Sequence, residues 1–338
     1  MPSLLDALRQ RSVVDCDTLD SEVAKTLGPF VDCTSNQAIA YFEITKLSAS
    51  GIGLYHESLI RESIDQSMGN LGEIRGQVAL KEFVVEVMMV KLQLLIAPHV
   101  TGYLHVQTNP KLSYSQTGTV NNAKRIIAIF QALAPNFDIK RICIKIPATW
   151  EGLSACRALE AEGIATLATT MFCMEQAALA SDANCTYIAP YINELKVHFE
   201  TGYIDLHKAF SFCREAQAYY DANNQRTRVL AASLTSVEEV LQLAGVHHVT
   251  ISPILLSELS RLDATAVKNS LGEYFAVTQP PENLDPTKYS TILENESSWR
   301  LAFTRSGFGT SEGKIIQAIN YFSDFQEKLE EIAGSYTI

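Results

Sequence analysis

Lys145 is the residue of this chain best placed to do chemistry. It sits in the run RICIKIPA (141–148), flanked on both sides by apolar residues. In a strand the side chains alternate, so Cys143, Lys145 and Pro147 share one face while Ile144 and Ile146 take the other. Lysine inside a strand buried on both faces is rare, because an ammonium is costly to take out of water unless it is paired or deprotonated. Two readings are open. The side chain can run its methylenes to the strand end and leave its charge in water or beside an aspartate. Alternatively it attacks a carbonyl and forms a Schiff base, which requires the neutral amine. At the reference pKa of about 10.4 only roughly one lysine in 2,500 is neutral at pH 7, so such a nucleophile needs a desolvated site.

The surrounding sequence says what positions that lysine. Eight short strand-like runs recur: 12–17, 30–35, 102–108, 141–148, 164–172, 185–192, 228–233 and 247–256. Helical patterns separate most of them, at 57–67, 75–96, 120–133, 150–162, 174–181, 204–222 and 237–244, with apolar residues three and four apart. A last helix is expected over 313–333, after a polar stretch holding Pro280 and Pro281. Repeated strand-then-helix units predict a parallel sheet, and eight of them predict an α/β fold, the (β/α)8 or TIM barrel with extra flanking helices, spanning 1–338 as one domain. The alternative is an open doubly wound sheet, which usually carries a glycine-rich loop after an early strand. Here GIG (51–53) and GFGTSEG (307–313) do not follow strands and read as turns and helix starts. Barrel chemistry belongs at the C-terminal strand ends. The polar residues there include Asp17, Thr34, Asn36, Gln107, Thr169, Tyr191 and Ser233.

Composition excludes several classes of function. The 338 residues carry a net charge of −11, against both a nucleic-acid partner and a polybasic membrane anchor. Phe83 to Val100 is the most apolar stretch, but Glu86 and Lys91 interrupt it, so it reads as a packed helix. Seven cysteines form no CxxC pair and read as buried thiols in a reducing compartment. The start MPSLLDALRQ has no signal-peptide pattern, so a cytoplasmic location is expected and the sequons at Asn184 and Asn295 are chance matches. The histidines (His56, His99, His105, His198, His207, His247, His248) show no metal-ligand spacing, so neither a metal nor a cofactor is expected.

The run RICIKIPATWEGLSACRALEAEGI (141–164) resembles the Schiff-base segment of transaldolases. LRQRSVVDCDTLD (8–20), DCTSN (32–36), LSY (112–114), AKR (123–125), LAGVHHVTISPILLSEL (243–259) and KIIQAINYFSDFQEKLE (314–330) are similar to further motifs of that family, in order. The resemblance implies that Lys145 condenses with a ketose carbonyl and that Asp17 takes the proton from the C4 hydroxyl as the C3–C4 bond breaks. It also implies that Thr34 and Asn36 lie in the active site, with Asn36 holding donor hydroxyls, and that Thr169 holds a water. A homodimer through C-terminal helices is implied too.

Four positions depart from that pattern. The family's third-strand glutamate is Gln107 here, which can hold a water but cannot titrate. Its sixth-strand phenylalanine is Tyr191. The same Gln and Tyr pair marks the short fructose-6-phosphate aldolases of the superfamily, where a hydroxyl can protonate the carbanionic intermediate and release the donor product. The arginine three residues after that aromatic is Glu194, and the seventh-strand Ser-x-Arg is Ser233, Leu234, Thr235. Arginine–phosphate pairs are charge-assisted and often bidentate, so losing two weakens phosphate binding strongly. Lys196 is the one nearby substitute. The expectation is a class I aldolase or transaldolase-like enzyme acting on a small carbonyl substrate without phosphate. An ordinary pentose-phosphate transaldolase, or a silent transaldolase-like binding protein, are the alternatives. His105 reads as a core histidine or a residue tuning the pocket from behind, Trp150 and Glu151 as packing and capping the following helix, and Cys16 and Cys33 as structural.

Overall fold

A computed structural model describes residues 2–267 and 287–336, so Pro280 and Pro281 lie outside the described residues. Each strand-like run contains a strand: β1 (Val13–Asp17), β2 (Cys33–Thr34), β3 (Leu104–Gln107), β4 (Ile142–Pro147), β5 (Ala165–Met171), β6 (Tyr187–Pro190), β7 (Arg228–Ala231) and β8 (His248–Ile251). All pair in parallel and in chain order, and β1 also pairs with β8. That last pairing closes a (β/α)8 barrel and excludes the open sheet.

The alternation expected at Lys145 is present. Ile142, Ile144 and Ile146 pack outward into the core shared with the helices, whereas Cys143 packs in the lumen with Leu167, Tyr187 and Leu230. Every residue of β4 is buried. The turn after it is tight, and Thr149 caps the helix Trp150–Ala161 by accepting from the Gly152 amide at 2.9 Å. A Cβ at Gly152 would lie 2.0 Å from the Pro147 carbonyl oxygen, so only glycine lets that helix start so close to the strand. Glu151 does not cap it; its carboxylate pairs with Arg300, while Trp150 packs against Trp299 with ring centroids 5.7 Å apart.

Several boundaries differ from the sequence reading for local reasons. The 75–96 helix divides into Gly72–Arg75 and Leu80–Ile96, because Gly76 takes φ +58°. The helix expected from 204 begins at Phe210, since the Asp205 side chain instead accepts from the backbone amides of Glu194 and His207. The 247–256 run stops at Ile251 because Pro253 starts the helix Pro253–Arg261. Five further short helices among the described residues had no place in that reading: Leu4–Arg9, Ser21–Leu27, Gln37–Ile44, Thr287–Leu293 and Glu296–Arg305. The last helix runs from Thr310 to Ser335 and contributes Ala318, Phe322 and Phe325 to the lumen cluster, so it lies across the barrel mouth. No helix among the described residues is long and apolar enough to cross a membrane. All seven cysteines are free and buried. Hydrogen bonding to Cys33, with burial, holds the Cys16 thiol well above its ordinary range, which makes it inert.

Deeper in the lumen lies a layer of paired charges. Asp15, Asp32 and His248 stand two residues before Asp17, Thr34 and Thr250, about 6.6 Å further down their strands. His248 Nδ1 lies 2.8 Å from Asp15, and His105 Nε2 lies 3.0 Å from Asp32. His105 is thus a core residue held by a buried carboxylate. Donor atoms of Asp15, Asp32 and His248 lie within 4.8 Å of one another, a grouping that sequence spacing does not reveal. Burial raises the Asp15 carboxyl to about 6, and although burial opposes it, the hydrogen bond to Asp15 raises His248. Both groups therefore bind more protons folded than unfolded. Their stabilisation is complete below the unfolded pKa values and is lost as pH rises through the folded ones. Asp32 is buried as well, yet His105 and the Tyr103 amide hold it low, so its contribution changes only in more acidic solution. Asp15→Asn retains an acceptor for the Asp32 amide and a donor toward His248. The melting temperature of the parent is expected to fall between pH 5 and pH 8, and Asp15→Asn is expected to flatten that fall; an equal slope in both proteins would count against the assignment.

Candidate active site

A cavity of about 290 Å³ opens at the C-terminal strand ends. Asp17, Asn36, Lys145, Tyr191 and Ser233 line it. Lys145 is 3% exposed, and its Nζ donates to the Ser35 carbonyl at 3.2 Å. Among the described residues no aspartate holds this amine in an ion pair, and the amine does not reach to the surface, so the first of the two sequence readings lacks a geometry.

Asp17 is oriented through a short relay. Thr34 Oγ1 donates to Asp17 Oδ1 at 2.6 Å. The Thr34 hydroxyl has one proton, so its 2.6 Å contact with Thr250 must be accepted from Thr250. The relay fixes one carboxylate oxygen and leaves the other free. Asn36 is similarly divided. Its Oδ1 accepts from the Ile39 amide at 3.0 Å and caps the helix Gln37–Ile44, so its NH2 group is the part available to a ligand.

Gln107 and Thr169 do not line the cavity but are buried next to it. Gln107 is the register partner of Lys145 on β3, and Thr169 is that of Pro147 on β5. Both side-chain polar atoms of Gln107, and Thr169 Oγ1, are buried without a hydrogen-bond partner. Three such buried atoms on the strands that flank β4 are costly unless something polar joins them. The backbone here is strained: Thr170, β-branched, takes φ +57°, where the pairing of β5 with β6 shifts register. Ser233 also has positive φ, +62°. Its hydroxyl donates to the Asn193 carbonyl at 2.8 Å, so His198 Nε2, 2.9 Å away, is the donor in that contact. Burial lowers the His198 pKa, which keeps this imidazole neutral.

Glu194 lies outside the cavity lining. Its carboxylate accepts the Tyr203 hydroxyl. Lys196 does not turn inward either: Nζ lies 3.0 Å from Glu200 and 4.5 Å from the Tyr203 ring centroid. Thr235 donates its amide to Glu239 at 2.7 Å. Glu239, against its burial, is held low by Lys208, the Thr235 amide and Asn193. Lys208 and Lys314 are likewise paired, with Glu239 at 2.7 Å and Asp205 at 3.3 Å.

The sequence reading missed the apolar half of the cavity. Phe42 comes from the helix Gln37–Ile44, Leu195 and His198 from the loop after β6, and Tyr321 and Phe322 from the last helix. Asn36 is a readable helix cap and could have disclosed the first of these. Nothing in the local sequence places Tyr321 over the barrel mouth.

Residues 14–303 match the family model described as Transaldolase/Fructose-6-phosphate aldolase. A transaldolase of Prochlorococcus marinus is 27% identical, with 98% of this chain and 94% of the relative covered. A transaldolase of Chlamydia trachomatis is 30% identical, covering 99% and 97%. Transaldolase B of Pasteurella multocida is 28% identical, covering 97% and 98%. With a buried barrel lysine and a relayed aspartate in one cavity, and a family match over most of its length, the chain is an enzyme that belongs to the transaldolase/fructose-6-phosphate aldolase family.

Proposed function

We propose that the enzyme makes and breaks a carbon–carbon bond next to a ketone through a Schiff base on Lys145, with a substrate that carries no phosphate. The observation behind this reading is the meeting of Lys145 and Asp17 in one small, largely buried cavity. The neutral Lys145 amine adds to the ketone carbon, and the carbinolamine loses water to give an iminium. Asp17, through its free oxygen, takes the proton from the C4 hydroxyl. The C3–C4 electron pair flows into the iminium, an aldehyde leaves, and an enamine remains. The enamine is protonated at C3 and its iminium hydrolysed, or it adds to another aldehyde, with Asp17 returning the proton.

Gln107 and Thr169 are proposed to hold the water that carries protons during Schiff-base formation. Their unpartnered polar atoms beside Lys145 support this, and Gln107 does so without titrating. Tyr191 is the proposed proton donor to the enamine, which favours cleavage and release over transfer. Asn36, through its NH2 group, and Ser233 are proposed to bind substrate hydroxyls, with Thr34 acting on Asp17. The absence of phosphate from the substrate is supported by the loss of both arginines and by the carboxylate partners already held by Lys196, Lys208 and Lys314.

Borohydride reduction with dihydroxyacetone is expected to give a covalent adduct by intact mass, absent in Lys145→Met, with little adduct from fructose 6-phosphate. Efficient trapping and turnover of fructose 6-phosphate with erythrose 4-phosphate would instead favour an ordinary transaldolase. Asp17→Asn is expected to retain the dihydroxyacetone adduct while lowering cleavage by roughly 10²–10⁴, the usual share of general acid–base catalysis. Tyr191→Phe is expected to raise the ratio of transfer to cleavage; an unchanged partition would remove Tyr191 from the protonation step.

A further inference from the structure

A groove of about 790 Å³ adjoins the catalytic cavity, and Phe42, His198 and Tyr321 line both. Gln317 and Asn320 contribute polar groups to its lining, but its apolar side chains are unusually open for such residues: Phe42 is 61% exposed, Phe199 48% and Ile316 44%. The rings are already ordered. Phe199 stacks on Tyr321 with centroids 5.1 Å apart and planes at 21°, and Phe42 and Phe325 lie 5.4 Å apart. The charged side chains lining the groove are Asp324 and Lys328, of opposite sign, and the Lys328 ammonium lies over the Phe325 ring at 4.4 Å. His198, on the shared wall, is bonded to the Ser233 hydroxyl, and burial disfavours its charged form. The groove thus offers an anion no net cation, and offers a flat apolar group two aromatic walls.

We infer that this groove is the subsite for the apolar tail of the aldehyde partner, so that the enzyme's acceptor, or the aldehyde it releases, is an aryl- or alkyl-substituted aldehyde. The inference rests on the Schiff-base reading above and specifies its substrate. Continuity decides the occupant: an aldehyde carbon placed at the Lys145 enamine has polar groups on the Asp17 side, and a tail leaving between Phe42 and Tyr321 enters the groove. In the addition direction the enamine carbon attacks the aldehyde carbon and forms the new bond. The aldehyde oxygen takes the proton carried by Asp17, and water then hydrolyses the iminium to release product and amine. No oxidant or reductant is needed.

The test compares kcat/KM for addition of dihydroxyacetone to 3-phenylpropanal, glycolaldehyde and glyceraldehyde 3-phosphate. The parent is expected to prefer 3-phenylpropanal over both others by at least tenfold. Phe199 and Ile316 line the groove but not the catalytic cavity. The double variant Phe199→Ser, Ile316→Ser is expected to lose that preference while its dihydroxyacetone adduct and melting temperature stay unchanged. A preference for the phosphorylated acceptor, or an unchanged preference in the double variant, overturns the inference but leaves the Schiff-base reading standing. An unchanged preference together with a lower mass in sedimentation would assign the groove to contact between two copies of the chain. A second arm does not depend on the chemistry. Binding of 3-phenylpropan-1-ol, followed by saturation-transfer NMR on Lys145→Met, is expected and should vanish when Phe199→Ser and Ile316→Ser are added. Failure of every ketone to form an adduct would remove the Schiff-base reading, and the alcohol arm would still decide whether the groove takes an apolar ligand.

Discussion

Lys145 belongs to a strand that is buried on both faces, and the rest of the site is arranged around keeping its amine there. Outward, Ile144 and Ile146 anchor β4 against the helices. Inward, the amine meets a backbone carbonyl and, among the described residues, no carboxylate. Gly152 extends the same constraint to the next element, because the helix after β4 can start where it does only without a Cβ.

Charge in the barrel is handled by depth. The deeper layer pairs Asp15 with His248 and Asp32 with His105, so two buried carboxylates face two imidazoles. One layer up, hydroxyl groups replace the imidazoles: Thr250 and Thr34 orient Asp17 and leave it an unshared oxygen. The structural carboxylates are thus closed by imidazoles, and the one at the cavity is held by a hydroxyl. That difference separates carboxylates closed off inside the lumen from one with an oxygen open to the cavity.

At the mouth the polar and apolar contributions come from different places. Strand ends and the turns after them supply Asp17, Asn36, Lys145, Tyr191 and Ser233. The last helix and the helix Gln37–Ile44 supply rings. Lys196, Lys208 and Lys314 are already matched to carboxylates on neighbouring segments. A barrel can keep its reaction in the strands while changing its substrate through such covering elements, because they add to the cavity without bearing on strand closure.

The sequence by itself determined the repeating units, the strand carrying Lys145 and the polar residues at its C-terminal end. Those depend on periodicity and on side-chain alternation, which are local and set by backbone geometry. It also disclosed Glu194 and Thr235 at positions where the resemblance to transaldolases implies arginines, since a residue type needs no coordinates. Tertiary structure alone decided that Glu194 turns to Tyr203 and Lys196 to Glu200, because a loop side chain chooses among partners that folding brings near. It alone assembled Asp15, Asp32 and His248 from three strands, a cluster whose sequence separations carry no ligand spacing. And it alone laid Tyr321 and Phe322 across the barrel mouth: helical periodicity told that a C-terminal helix has an apolar face, but the docking of that face on the lumen is a long-range packing choice made only when the barrel has closed.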